Sequence, residues 1–170
     1  MDNDSELKLF QNSGYIDHRN QKQILILDID QDRDGSAGGV FKVSLAEPLI
    51  IDKLSDIYLD SLTTWNCNPN TTEEARGFIL DIDQLEIKTN SNTVNFYNKI
   101  FIPNSASNAS QTTLHKTKKL NYICSINPTT LSTISGSLKH ADGVAAWNNS
   151  TGTTPKATLE FVIISRNTGK

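Results

Sequence analysis

The stretch Ala157-Thr158-Leu159-Glu160-Phe161-Val162-Ile163 decides the fold class, because Ala157, Leu159, Phe161 and Ile163 share one parity while Thr158 and Glu160 share the other. Successive side chains of a β-strand point to opposite faces, so this pattern predicts a strand with one buried face. The same period recurs in Phe41-Lys42-Val43-Ser44-Leu45. The rows of this kind predict a core that contains Phe41, Val43, Leu45, Leu80, Tyr122, Leu159 and Phe161.

Other apolar rows extend the strand pattern along the chain. They are Val94, Phe96, Ile100 and Ile102, and Leu120, Tyr122, Cys124 and Ile126. The residues Ile57, Leu59 and Ser61 alternate with Tyr58, Asp60 and Leu62 in the same way. Ile24-Leu25-Ile26-Leu27 is apolar on both parities, which predicts a strand covered on both sides. The row Phe78, Leu80 and Ile82 changes parity at Leu85 and Ile87, which indicates a β-bulge near Asp83-Gln84 or a strand that crosses between sheets.

Turn-rich segments separate these rows at residues 35–39, 66–70, 89–92, 104–111 and 147–155. Helical periodicity is nearly absent, and the capping-box spacing of Thr71 and Glu74 predicts only a turn or two within a loop. Short strands with regular turns are typical of an antiparallel β-sandwich or barrel rather than of alternating βαβ units. We expect a polar N-terminal arm over residues 1–20 and one β-sandwich domain over residues 21–170.

Composition and charge narrow the function classes. The chain has 170 residues, of which 36% are hydrophobic, and a net charge of -3. A domain of this size folds without disulfides or metals, and its charge argues against a basic protein that wraps nucleic acid. We expect no membrane-spanning segment and no secretory signal, because no run of about 18 apolar residues occurs and the N-terminus is acidic and polar. Cys67 and Cys124 are therefore predicted to be buried thiols rather than a disulfide.

The acidic segment Asp30-Gln31-Asp32-Arg33-Asp34-Gly35 is the sharpest local motif. Asp30, Asp32 and Asp34 are the candidate calcium ligands, since three carboxylates at alternate positions before a glycine resemble the start of a calcium loop. The twelfth position, which supplies a bidentate Glu in an EF-hand, is Phe41 here. The alternative is a solvated hairpin loop whose acids keep a sheet edge soluble, and calcium binding is not expected.

Two further groups of charged residues invite a functional interpretation. Asp81 and Asp83 form a second acidic pair, which either serves a hydrolase or lies on a solvated strand face. His115-Lys116-Thr117-Lys118-Lys119 is the one basic cluster, and we interpret it as a solvated loop rather than a nucleic-acid site. No HExxH, CxxC, GxSxG or phosphate-loop motif occurs, so we predict no catalytic residue, no cofactor and no enzyme.

The order of segments resembles the minor capsid and penton-type single jelly-roll proteins of nucleocytoplasmic large DNA viruses, the giant viruses. The resemblance rests on six stretches and covers most of the chain. They are Tyr15-Ile16-Asp17-His18-Arg19-Asn20, Phe41 to Leu45 with Glu47-Pro48-Leu49-Ile50-Ile51, Ile57 to Trp65, Phe78 to Asp83, Lys99-Ile100-Phe101-Ile102-Pro103-Asn104 and Leu159 to Ile164. These are strand patterns, and the family has no active-site motif to carry over.

The resemblance implies a single jelly roll that serves as a structural virion protein, in a shell assembled in the host cytoplasm. Its implied partners are other capsid proteins, including the major capsid protein, in a homo- or hetero-oligomer. Polar loops over residues 104–113 and 148–154, with the N-terminal arm, are the expected contact regions. Two alternatives stay open: a carbohydrate-binding or adhesion module on a β-sandwich, and a β-sandwich hydrolase that uses Asp81 or Asp83.

Overall fold

The computed structural model describes residues 22–35, 37–67, 69, 71, 74–104, 115–146 and 154–166. Strands make up most of the described part and helix is nearly absent from it, which confirms the all-β prediction. Its strands are β1 (Lys22–Asp30), β2 (Val40–Ile51), β3 (Ser55–Trp65), β4 (Gly77–Ile82), β5 (Ile100–Pro103), β6 (His115–Ile126), β7 (Thr129–His140) and β8 (Lys156–Ser165). The helical elements are the single turn α1 (Gln31–Asp34) and two 3-10 turns at Ala37–Gly39 and Glu74–Arg76.

The strands form two antiparallel sheets of four. The order in the first sheet is β1-β8-β3-β6, and the order in the second sheet is β2-β7-β4-β5. The alternating rows of the sequence explain this arrangement, because each sheet buries one face and leaves the other outside. The β-sandwich prediction is therefore confirmed.

The core lies between the inner faces of the two sheets. Five of the seven predicted core residues are buried: Phe41, Val43, Leu80, Leu159 and Phe161. Leu45 is partly buried and packs against this core. Both cysteines are buried free thiols, as the sequence predicts, and burial raises the pKa of Cys67 to about 12 and that of Cys124 to about 11.

The prediction that Tyr122 belongs to the core is wrong, because its side chain is 50% exposed. The pairing of β3 with β6 shifts register between Ile57 and Tyr58, so that Ile57 lies opposite Cys124 and Tyr58 lies opposite Tyr122. An extra residue in one strand reverses the parity beyond it. A second shift, between Leu59 and Ser61, likewise turns Leu62 inward in place of Ser61.

The strand predicted over the Val94 and Phe96 row begins only at Ile100. Residues 94–98 form turns, Val94 is 83% exposed, and Asn98 has a left-handed φ of 55°. Asparagine tolerates that conformation, which a strand cannot contain. The parity change after Ile82 has a related cause: β4 ends there, and the N–H of Leu85 donates to the Ile82 carbonyl at 3.0 Å in a turn.

The backbone corrects one further sequence interpretation and confirms another. The basic segment 115–119 is not a loop, because β6 begins at His115 and pairs with Thr64. The capping-box residue Thr71 does accept the N–H of Glu74 at 3.2 Å, ahead of the short 3-10 turn. The predicted arm, residues 1–20, and nearly all of the two polar loops lie outside the described residues. No helix within the described ranges is long and apolar enough to cross a membrane.

Candidate assembly surface

The acidic loop folds as α1, directly after β1. Asp30 is the N-cap of this turn, and its Oδ1 accepts the N–H of Asp32 at 3.0 Å. Asp is among the preferred N-cap residues because its short carboxylate reaches the free N–H groups of the first turn. The segment between the two strands therefore forms a capped helical turn rather than an open calcium loop.

The three candidate ligands bind three different partners. Asp30 pairs with the ammonium of Lys156 at 2.9 Å, Asp34 with the guanidinium of Arg33 at 2.7 Å, and Asp32 accepts the hydroxyl of Thr154 at 2.5 Å. The hydrogen bond from Lys156 lowers the pKa of Asp30. Partial burial opposes ionisation of Asp34, but hydrogen bonds from Arg33 and the Asp30 N–H outweigh it and lower its pKa.

A cation at this loop would have to compete with Lys156 and Arg33. Within the described part of the chain, this loop included, no three His, Cys, Asp or Glu side chains gather around a possible metal position. The three aspartates lie close in sequence, yet their carboxylates serve the local turn and the neighbouring β8.

The second acidic pair is also divided between partners. Asp81 on β4 pairs with the ammonium of Lys99 at 2.6 Å, while Asp83, in the turn after β4, accepts the hydroxyl of Ser135 at 2.6 Å. Two further hydrogen bonds, of 3.0 Å each, join Ser135 to Gln84: the Gln84 amide Nε2 donates to the Ser135 hydroxyl, and the Ser135 N–H donates to Gln84 Oε1. These contacts fasten the turn after β4 onto β7.

The space between the sheets offers little volume for a ligand. A void of about 20 Å³ lies at one end of the core and is lined only by apolar side chains, among them Leu27, Phe161 and Ile163. That volume is close to the space of a single water molecule, and the site lacks polar partners to hold one. Recognition by this domain is therefore best sought on its outer surfaces.

The outer face of the first sheet carries a row of apolar and aromatic side chains across all four strands. Cα pairing places Ile24 on β1 opposite Val162 on β8, Val162 opposite Tyr58 on β3, and Tyr58 opposite Tyr122 on β6. We call these four residues the outer row. Ile24 is 53% exposed and its neighbour Ile26 is 61% exposed. The two tyrosine rings meet edge to face, with centroids 5.9 Å apart.

A polar network borders the outer row at one end. The guanidinium of Arg166 binds the carboxylate of Asp56 and the hydroxyl of Ser125, which in turn donates to Asp56 at 2.7 Å. The Ser125 hydroxyl lies 2.9 Å from that of Tyr122. Hydrogen bonds from Arg166 lower the pKa of Asp56, so the carboxylate is ionised. The network thus contacts the outer row through the Tyr122 hydroxyl.

The outer face of the second sheet differs in chemistry. Along β7 its outward positions are occupied by Thr133, Ser135, Ser137 and Lys139, which alternate with the buried Ile134, Gly136, Leu138 and His140. Small polar side chains of this kind are ordinary for a solvated sheet face. Exposed apolar side chains of the second sheet lie on its edge strand β2, where Val40 is 46% exposed and Ile50 is 60% exposed. The first sheet differs in that its row crosses all four strands and contains an aromatic pair.

The sequence interpretation missed this surface. Ile24 and Ile26 were predicted to be covered on both sides of the sheet, and Tyr122 was predicted to be in the core. The available signal was the apolar run Ile24-Leu25-Ile26-Leu27, because an exposed apolar face beside a buried one produces the same pattern as a doubly covered strand. No protein-family model matches the chain, and no curated protein is significantly similar to it.

Proposed function

We propose that this chain is a structural virion protein, a minor capsid or penton component that is assembled in the host cytoplasm and contacts neighbouring capsid subunits. The outer row is the observation that carries this proposal. It presents apolar and aromatic side chains on a sheet face that a free monomer would ordinarily keep polar. Its partners are other capsid proteins, the major capsid protein among them.

The strand order supports the jelly-roll part of the proposal. The four pairs β1 with β8, β2 with β7, β3 with β6 and β4 with β5 are all present. These pairs are nested in sequence, as if one long antiparallel ribbon had been rolled so that successive pairs alternate between two sheets. Jelly rolls, which have eight strands in two Greek keys, occur in viral capsid and lectin domains, and the nested pairs support that assignment here.

The composition of the outer row suits a protein interface. Tyrosine and arginine are enriched at interfaces and at their energetic centres, because they combine a large apolar area with hydrogen-bonding groups. Tyr58 and Tyr122 within the row and Arg166 in the bordering network supply these groups, and Val162, only 8% exposed, packs between its neighbours in the row. The Asp56 network forms a polar rim at one side.

The geometry is less suited to the carbohydrate-binding alternative. Stacking on a sugar ring needs an accessible flat aromatic face, whereas Tyr58 and Tyr122 are inclined by 71° to each other. Trp65, 43% exposed, lies seven residues from Tyr58 along β3. At the rise of a β-strand, that separation is roughly 23 Å, too far for one short glycan site.

Incorporation into particles tests the proposal. Particles purified from the cells that make the protein should contain the full chain in fixed proportion to the other shell proteins. Tyr122→Ser should reduce that proportion, while the matched control Tyr97→Ser should not, since Tyr97 is similarly exposed at 53% but lies outside the first sheet. A chain that remains entirely outside the particle fraction would overturn the proposal, and binding to a glycan array would then favour the adhesion module.

A further inference from the structure

The four strand edges of the sandwich are unequal. The β2 edge contains Pro48 and an interrupted register between Ser44 and Leu49, β5 has only four residues, and the register of β6 shifts twice. Natural proteins use such interruptions, prolines and short strands to prevent association of sheet edges. In contrast, β1 pairs with β8 over nine consecutive residues without a break and contains no proline. No described strand pairs with its other edge.

The hydrogen-bonding groups on that edge can be assigned. The Gln31 N–H donates to the Pro155 carbonyl at 3.1 Å, which continues the β1–β8 ladder by one residue. In an antiparallel pair, hydrogen-bonded positions alternate, so the odd residues of β1 bond to β8 and the even residues point N–H and C=O outward. Two contacts agree with this: the Asp30 N–H donates to Asp34 at 3.0 Å, and the Asp28 carbonyl accepts from Arg33 at 2.5 Å.

The acidic loop therefore covers only the last part of the edge. Its side chains occupy outward groups of Asp28 and Asp30, while Lys22, Ile24 and Ile26 precede the covered part. The outward side chains run from the cation Lys22 through two exposed isoleucines to the anion Asp28. When two copies of this segment run antiparallel, the cation of each lies beside the anion of the other, and the isoleucines lie beside isoleucines.

We propose that β1 pairs with β1 of a second copy of this chain, antiparallel, around a two-fold axis at Leu25. In this register Ile24 of each copy faces Ile26 of the other, and Lys22 of each copy lies beside Asp28 of the other. The outward groups of the even residues exchange hydrogen bonds, and the Asp28 carbonyl has a second lone pair for the additional donor. The two first sheets become one eight-stranded sheet whose outer rows are continuous. A two-fold contact of this kind uses the same patch on both copies.

This pairing rests on the proposed assembly role and names the partner at one edge. Its test is sedimentation analysis of the purified full chain, away from any particle. The wild-type protein should be a dimer that dissociates on dilution, and Ile26→Lys should shift it to monomer. Val94→Lys is the control. Val94 is even more exposed, at 83%, but it precedes β5, an edge strand of the second sheet, and so lies away from β1.

A charge exchange tests the register and does not depend on the isoleucine variant folding. Lys22→Glu and Asp28→Lys should each weaken the dimer at least tenfold, because each places two pairs of like charges side by side. The double variant should recover most of the lost affinity. An unchanged dimer in both single variants, or no recovery in the double variant, would overturn the register.

Crosslinking locates the axis directly. Leu25 lies opposite its own counterpart in a non-hydrogen-bonded pair, where Cα atoms are about 4.5 Å apart, within the range of a disulfide. Leu25→Cys should therefore form a covalent dimer on mild oxidation. Gln23→Cys should not, because it faces residue 27 of the second copy and lies about 13 Å along the strand from its own counterpart.

The two proposals fail in distinguishable ways. A wild-type chain that is monomeric at every concentration, with no Leu25→Cys crosslink, overturns the pairing and leaves incorporation into particles to be decided by the outer row. A dimer that never enters particles overturns the virion role and leaves the pairing in place.

Discussion

The guanidinium of Arg166 binds Asp56 through two nitrogens, with Nε 3.0 Å from both carboxylate oxygens and Nη2 2.7 Å from Oδ1. The Arg166 N–H also donates to the Leu54 carbonyl at 2.8 Å. These contacts attach the residue after β8 to the start of β3, 110 positions earlier in the chain. They hold the final strand in the centre of the first sheet and place a fixed charge pair beside the outer row.

The pair predicts a loss of stability in acid. Hydrogen bonds from Arg166 lower the folded-state pKa of Asp56 below its ordinary value of 3.8. The ionised Asp56 carboxylate therefore stabilises the folded state at pH values above that ordinary pKa, and this stabilisation is lost as the pH falls through the folded-state pKa. Because Arg166 is about half exposed, we expect about 1 kcal/mol or less. Urea midpoints measured across this range should depend less on pH in Asp56→Asn, whereas Asp52→Asn, at an exposed site, should retain the wild-type slope.

The centre of the core is sensitive to lost volume. Phe161 is 2% exposed between the sheets, so Phe161→Ala removes buried area and leaves a cavity. The free energy of unfolding should fall by about 3–5 kcal/mol, measured by urea denaturation. Val94→Ala, at an 83% exposed site, should change it by less than about 0.5 kcal/mol. Equal effects for the two variants would contradict the sandwich core.

A single glycine permits the close approach of β7 and β4. A Cβ added at Gly136 would lie 2.0 Å from the backbone carbonyl oxygen of Asp81 and 3.1 Å from the Phe41 ring. Because the nearest atom is backbone, the strands have to separate, and we expect Gly136→Ala to destabilise by at least about 1–3 kcal/mol. Ser132→Ala, at an exposed position of the same strand, is the control. A neutral Gly136→Ala in thermal unfolding would show that β4 and β7 are farther apart.

Calcium should have no effect on the melting temperature. Lys156, Arg33 and Thr154 already bind the three carboxylates of the acidic loop. Melting curves with calcium and with a chelator should therefore coincide for the wild type and for Asp32→Ala. A calcium-dependent rise that disappears in Asp32→Ala would establish a cation site that displaces these partners.

Both thiols should be unreactive in the folded protein. Burial raises the pKa of Cys67 to about 12 and that of Cys124 to about 11, and the thiolate is the reactive form. Ellman's reagent at mildly alkaline pH should thus label neither thiol until denaturant is added, and then both. Rapid labelling of one thiol in native buffer would indicate local opening of its strand, which the single variants Cys67→Ser and Cys124→Ser would assign.

The sequence was sufficient where one parity was apolar and the strand was regular. The rows of β2 and β8 gave both the strand and its buried face, because neither strand itself contains an extra residue within Phe41 to Val43 or Ala157 to Ile163. The extra residue opposite Glu160 and Phe161 belongs to β3. The sequence was insufficient where one strand of a pair contains an extra residue relative to its partner. The shifts opposite Tyr58 and after Leu59 depend on the partner strand, and no pattern within β3 or β6 alone marks them.

The outer row shows a different limit of sequence reasoning. An apolar residue looks the same in a sequence whether it is buried by its own chain or exposed for a partner to cover. Ile24 and Ile26 became recognisable as surface residues only when they were found on the outer face of the first sheet, opposite to its core face. The acidic loop shows a related limit. Its alternate aspartates suggest that they bind one shared cation, but their partners are Arg33 in α1, Lys156 in β8 and Thr154 just before β8.

If β1 pairs with a second copy as proposed, the irregular edges at β2, β5 and β6 limit how far copies of the domain can polymerise. A unit with two adhesive edges adds further units at both ends and grows into a fibre, whereas a unit with one adhesive edge stops at a pair. Among the described strands, β1 alone forms an edge with a long, unbroken register, so the sandwich has one edge suited to pairing with another copy. Any growth beyond two copies would then have to use surfaces other than the strand edges.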